Sequence, residues 1–132
     1  MLLVVDTSVI LAVVLNEPSK AALIQLTRGA DLLAPASLHW EIGNALSAMF
    51  KRKRLTLEEA LHALIEYRKI PIRFLDIALD DAVTLAAQLA IYAYDAYFIA
   101  CARTHAVALL TIDHGLQVAA RAAGLTVVEA IS

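Results

Sequence analysis

Residues 2–11 read LLVVDTSVIL, and the point at which this apolar run is interrupted decides the fold. Leu2–Val5 is a short apolar segment with two β-branched residues, suited to a strand buried on both faces. A carboxylate, Asp6, follows at once, then the hydroxyls of Thr7 and Ser8, and a short apolar helix takes over. The rest of the chain repeats this alternation.

After the break at Asn16, Glu17 and Pro18, a second helix runs to about Arg28, with Gly29 as its C-terminal cap. Asp31–Ala34 is a second strand, and Pro35 opens a long helix to about Arg54. Thr56 with Glu59 is a capping box for the next helix, which Pro71 closes. Ile72–Leu75 is a third strand; Asp80 or Asp81 caps a helix to about Ile91, and another spans roughly Asp95–His105. Val107–Thr111 is a fourth strand, Leu116–Ala123 a helix capped by Gly124, and Leu125–Val128 a last strand. Strands separated by helices imply crossover connections and a parallel sheet covered on both faces. The expected fold is α/β: a three-layer α/β/α sandwich with a central parallel sheet of about five strands, one domain over residues 1–132.

Composition agrees. Of 132 residues, 61% are hydrophobic and 18% charged, which excludes a disordered chain. The 26 Ala and 22 Leu favour helices, and the apolar excess points to surface left for partner chains. The formal charge of −2 argues against a protein that coats nucleic acid by counterion release. A single Cys101 excludes an internal disulfide and fits a reducing cytoplasm. Residues 1–15 lack the basic start of a signal peptide. Residues 82–102 are long enough to cross a bilayer, but Asp95 in their midst argues for a buried element instead.

Most of the thirteen acids sit on polar helix faces or at element ends. Four do not. Asp6 ends the first strand and Asp113 follows the fourth in ALLTIDHGL. In an open parallel sheet, ligands bind beyond the carboxyl ends of strands, where the strand order reverses. If strands one and four are neighbours there, Asp6 and Asp113 face one crevice. Glu41 shares a helical stripe with Leu38, Ile42, Ala45 and Met49, and Asp95 lies among aromatic and small residues in AYDAYFIACA. Asp6 and Asp113 read equally as helix caps. Glu41 and Asp95 have a structural explanation in ion pairs with Arg103 or Arg121. Four acids converging on one sheet end outnumber those two cations and repel one another unless a cation sits among them. An all-carboxylate site suits Mg²⁺ or Mn²⁺, which activates water for attack on phosphorus. The hydroxyls of Thr7, Ser8 and Thr111 stand ready to orient a carboxylate or water, or to serve as caps and turn bonds.

The stretches VVDTSVI, WEIGNAL, YDAYFIACA and LLTIDHGL, in that order, resemble the PIN-domain ribonucleases, especially VapC-type toxins of toxin–antitoxin pairs. The resemblance spans nearly the whole chain. It implies that Asp6, Glu41, Asp95 and Asp113 are catalytic, metal-binding acids, with Thr7 or Ser8 and Thr111 as supporting polar residues. It further implies Mg²⁺- or Mn²⁺-dependent cleavage of RNA, a homodimer, and a cognate antitoxin that packs in an apolar groove. The other reading is a noncatalytic PIN-like module binding RNA or protein, against which the intact quartet counts. A phosphoacceptor domain lacks its acidic pair and late Lys here, and an Asp-nucleophile phosphohydrolase would have a second Asp at the position of Ser8.

Lys51, Arg52, Lys53 and Arg54 end the long helix, either as a solvated basic end or as contacts for RNA phosphates. Cys101 reads as core, and His105 and His114 as surface imidazoles; His114 beside Asp113 is also a candidate general acid. His39 and Trp40 read as buried, or as part of a subunit contact. Asp76, after the third strand, is expected toward a sheet edge and outside the site.

Overall fold

A computed structural model describes residues 1–130. Five strands, β1 (Leu2–Val5), β2 (Asp31–Pro35), β3 (Ile72–Leu75), β4 (Ala108–Leu110) and β5 (Val127–Val128), form one sheet in the order β3-β2-β1-β4-β5. Every pairing is parallel. The helices are α1 (Thr7–Val14), α2 (Lys20–Thr27), α3 (Leu38–Lys51), α4 (Leu57–Arg68), α5 (Leu79–Leu89), α6 (Ala93–His105) and α7 (His114–Ala122). The expected α/β/α sandwich with a five-stranded parallel sheet is the fold observed.

The absence of alternation in LLVV now has its cause. β1 is central, and Leu3, Val4 and Val5 are completely buried because helices cover both faces. Full burial of each such side chain contributes roughly 1.5–3 kcal/mol. α6 supplies one cover, packing on β1, β2 and β4 with Phe98, Ile99 and Ala102 buried. α1 packs against α2, α3 and α4, with Val9, Ile10 and Ala12 buried.

Several local expectations shift: β4 and β5 are shorter than the runs Val107–Thr111 and Leu125–Val128, α7 starts at His114 rather than Leu116, and three further differences have a clear cause. Pro35 ends β2 instead of opening the helix, since α3 begins at Leu38; a terminal strand position tolerates the missing N–H. Ala78, not Asp80 or Asp81, is the N-cap residue of α5, and both acids lie in its first turn, where they favour the helix dipole. The apolar stretch 82–102 breaks at Ala90, whose φ of 54° ends α5, and α6 sets off at 114° to it. Among the described residues no single helix is long and apolar enough to cross a membrane. The Thr56–Glu59 capping box is present with both bonds, and Gly29 and Gly124 follow their helices at φ of 76° and 85°.

The strand order places the site. β1 leads to β2 and β3 on one side, while β4 and β5 lie on the other, so the order reverses between β1 and β4. Val5 is in register with Leu110, and the residues just beyond them, Asp6 and Thr111, meet at the carboxyl edge of the sheet.

Candidate active site

Asp6 is 4% exposed and is held from three directions. Its Oδ1 accepts from Ser8 Oγ at 2.7 Å and from the Val9 N–H at 3.2 Å; its Oδ2 accepts from Thr111 Oγ1 at 2.7 Å. The bond from Val9 makes Asp6 the N-cap of α1. Capping and a place in the crevice are therefore not alternatives, because one carboxylate has two oxygens and does both.

Ser8 and Thr111 tie the two strand ends together. Thr111 Oγ1 accepts from the Asp113 N–H at 3.0 Å while donating to Asp6, and Ser8 Oγ accepts from the Ile112 N–H at 3.2 Å. Gln117 Nε2 donates to the Thr111 carbonyl at 3.0 Å, fixing this turn from α7. Asp113 caps α7, its Oδ1 accepting from the Leu116 N–H at 3.0 Å, and remains exposed. Gly115 leaves that carboxylate room: a Cβ there would stand 3.3 Å from Asp113 Oδ1.

Glu41 and Asp95 reach the crevice from the first turns of α3 and α6. With α1 and α7, four helices begin at this edge, and their N-terminal dipoles favour negative charge. Ser37 Oγ donates to Glu41 Oε2 at 3.1 Å. The Thr7 hydroxyl lies beside Glu41 yet is buried without a well-formed hydrogen bond.

Three of the four acids feel the charge of a neighbouring carboxylate. Burial pushes the Asp6 carboxyl up, against the bonds from Ser8, Thr111 and Val9, and the charge of Asp113 adds to it. Burial likewise raises Glu41, to about 7, with the charges of Asp95 and Asp6 contributing. Asp95 is raised by burial and then by Asp113. The ion pairs with Arg103 or Arg121 do not form. Arg121 binds Glu129 at 2.7 Å, and Arg103 is exposed eight residues along α6 from Asp95, about 12 Å by helix rise. The only other ion pair among the described residues is Lys69–Glu66, on the surface.

The acids ring the crevice rather than meeting at a point, and no three His, Cys, Asp or Glu side chains among the described residues form a closed ligand set. Carboxylate and hydroxyl oxygens are nevertheless the donors a hard divalent cation selects. Mutual repulsion, missing basic partners and the orphaned Thr7 hydroxyl all fit Mg²⁺ or Mn²⁺.

The remaining candidates lie elsewhere. Lys51 through Arg54 are exposed at the far end of α3 from Glu41, and Arg54 lies by Asn16 and Glu17, beyond the end of α1 away from Asp6. His114 is exposed, as is His105, and Cys101 is buried. Trp40 is 76% exposed, which overturns its burial within the monomer. His39 is exposed overall, but its ring rests 4.2 Å from that of Phe74, and its Nδ1 hydrogen-bonds Tyr67 Oη at 2.7 Å. Sequence reasoning missed Ser37 and Gln117. Ser37 is legible as the residue one helical turn before Glu41; Gln117 acts on a backbone carbonyl and leaves no pattern.

The family model for the PIN domain matches residues 3–122. Among solved structures the chain is similar to PAE2754 from Pyrobaculum aerophilum, at 21% identity and a TM-score of 0.71, covering 95% of this chain and 82% of that one. It is similar to VapBC2 from Rickettsia felis, solved bound to a DNA fragment from their promoter, at 14% identity and a TM-score of 0.68, covering 98% of each chain. It is also similar to FitAcB from Neisseria gonorrhoeae, at 18% identity and a TM-score of 0.58, covering 95% of each. At such identities the likeness establishes a shared fold. No curated protein sequence matches.

Proposed function

The chain belongs to the PIN-domain family, and from that premise we propose that it is a metal-dependent endoribonuclease, the toxin of a toxin–antitoxin pair, acting in the cytoplasm. The observation that carries this reading is the carboxyl edge of the sheet, where Asp6, Glu41, Asp95 and Asp113 lie within electrostatic reach of one another and, among the described residues, none has a basic partner. Asp6, Asp95, Glu41 and Asp113 would hold Mg²⁺ or Mn²⁺, which when bound supplies a lowered water pKa and neutralises charge on the phosphate.

The protein's own groups do the rest. Ser8 and Thr111 fix both Asp6 oxygens, so this carboxylate needs little reorganisation to act. Asp113, anchored through its N–H to Thr111, completes the same wall. Glu41, raised by burial in the metal-free protein and held by the Ser37 hydroxyl, closes the crevice from the α3 side. Lys51–Arg54 remain candidates for RNA phosphates away from the scissile bond.

The partner reading rests on apolar surface. Leu57, Leu61 and Ile65 recur at every fourth residue along α4, each at least half exposed, beside a groove of about 950 Å³ also lined by Val14, Leu15 and Met49. A helix or extended segment of a cognate antitoxin fits such a stripe. Val83, exposed on α5, supports a homodimer through a separate face.

Purified protein freed of antitoxin should cleave single-stranded RNA with Mg²⁺ or Mn²⁺, stop on chelation, and leave DNA intact. Asp6→Asn should lower the rate by about 10²–10³-fold, the scale on which a preorganised charge-stabilising contact acts. Asn still caps α1, so the fold should survive. Metal-independent cleavage retained after both Asp6 and Asp95 become Asn overturns the mechanism. RNA binding without cleavage favours the noncatalytic module.

A further inference from the structure

We propose that a small pocket next to the acidic crevice, walled by Ser37, Leu75, Asp76, Leu79 and Tyr97, receives one guanine base of the RNA strand. This rests on the nuclease reading and names a recognition element for it. The pocket lies where the β2–α3 turn, the end of β3, the start of α5 and α6 meet, and its volume is about 220 Å³. That is below the ~300–1,000 Å³ of pockets for drug-sized ligands, a size for one ring system rather than a folded segment.

Its placement links it to the chemistry. Ser37 lines the pocket and donates to Glu41 Oε2, so one residue belongs to both the base wall and the acid wall. A strand whose phosphate lies in the crevice therefore brings a neighbouring nucleotide to this opening.

The lining explains the choice of base. Asp76 is exposed and, among the described residues, accepts no hydrogen bond and pairs with no cation. A free carboxylate at the pocket wall is an acceptor with two oxygens. Guanine offers two adjacent N–H donors on its Watson–Crick edge, N1–H and the exocyclic amine, and can satisfy both. Adenine presents only one donor on that edge, the N6 amine, beside the N1 acceptor, whose lone pair repels the second oxygen. Tyr97 and the two Leu supply the apolar and aromatic surface against which unpaired bases pack. Tyr94, whose ring stands edge-on to Tyr97 at 6.0 Å, limits how far that ring can swing. Asp76, expected outside the site from its edge strand, thus adjoins it.

The direct test titrates the 132-residue chain with guanosine and with adenosine, free of phosphate, following the backbone amides of Ser37, Ile77 and Tyr97 by NMR. Guanosine should shift all three and bind about 10-fold more tightly than adenosine, within the range of a bidentate base contact. Asp76→Asn should erase that ratio. In RNA oligomers differing by G, inosine or A beside the cleaved bond, the wild type should prefer G by a similar factor, and Asp76→Asn should not. Equal shifts by both nucleosides, or none, overturn the pocket. So does an Asp76→Asn variant that keeps its base preference and changes sedimentation, which makes this a contact between copies. Guanosine binding without cleavage of any RNA leaves the pocket standing and defeats the nuclease instead.

Discussion

The carboxyl edge of the sheet and the outer flank of α4 break the same rule in opposite directions. At the edge, Asp6 is buried beside Glu41 and Asp95, and burial raises all three carboxyls. On the flank, Leu57, Leu61 and Ile65 stand in solvent. Under the proposed function the acids held inside against their desolvation would take up a cation, and the leucines held outside at helical spacing would take up another chain. The two regions lie at opposite ends of α1, the first at Asp6 and the second beyond Val14. Catalysis and capture should therefore be separable by mutation.

The largest expected effect separates them outright. Leu61→Asp puts a charge in the middle of the α4 stripe, where a docked segment would have to desolvate it. Antitoxin affinity should fall by about 100-fold, measured by titration of the purified pair, while RNA cleavage by the free protein stays as before. If cleavage falls with affinity, the two regions are not independent.

That contrast also marks what a sequence can disclose. The quartet was legible because each acid interrupts an apolar pattern: LLVV before Asp6, the Leu38–Ile42 stripe around Glu41, AYFIA after Asp95. The sheet was legible for the same reason, since five apolar runs are separated by cap residues and breaks. Pro35 misled because a residue that suits the start of a helix also suits the last position of a strand. The caps of α5 misled because Asp80 and Asp81 favour a helix start from within the first turn as well as from before it. The Ser8–Thr111 bridge lay beyond reach, since it depends on the register of β1 with β4 across more than a hundred residues. Asp76 was read as following a strand toward the sheet edge, and it does follow β3 there; the strand order does not reveal that Tyr97 of α6 lines the same pocket.

A second, smaller effect asks whether the acid wall is held in place or merely crowded. Thr111→Val keeps the shape of the side chain but removes the donor to Asp6 Oδ2 and the acceptor for the Asp113 N–H. Outer partners of metal-binding carboxylates typically account for 10- to 100-fold in affinity. The Mn²⁺ concentration giving half-maximal cleavage should rise by about 10-fold, with little change in the rate at saturation. An unchanged Mn²⁺ requirement means the bridge serves only the turn.

The smallest effect concerns stability, and its direction distinguishes a buried acid from a structural ion pair. Glu41 has an ordinary value of 4.5 and sits at about 7 in the folded protein, chiefly through burial. Between those values the folded state holds a proton that the unfolded chain has released. Raising the pH through that window therefore favours unfolding, and the loss is complete once the pH exceeds about 7. Asp6 and Asp95 are shifted in the same direction. An acid stabilised by Arg would do the reverse, gaining stability as the pH rose. Because Glu41 is only half-buried, solvent screening reduces its part to about 1 kcal/mol. Thermal melts of the metal-free protein should thus show a falling Tm between pH 5 and 7 and a level one above. Glu41→Gln should flatten part of that slope and raise the Tm at pH 8. Saturating Mn²⁺ should oppose the fall, since the cation binds the ionised carboxylates and so favours folding most at the higher pH. A metal-free Tm that climbs from pH 5 to 7, or a Glu41→Gln variant with the wild-type slope, would show that Glu41 is not the strained acid of this crevice.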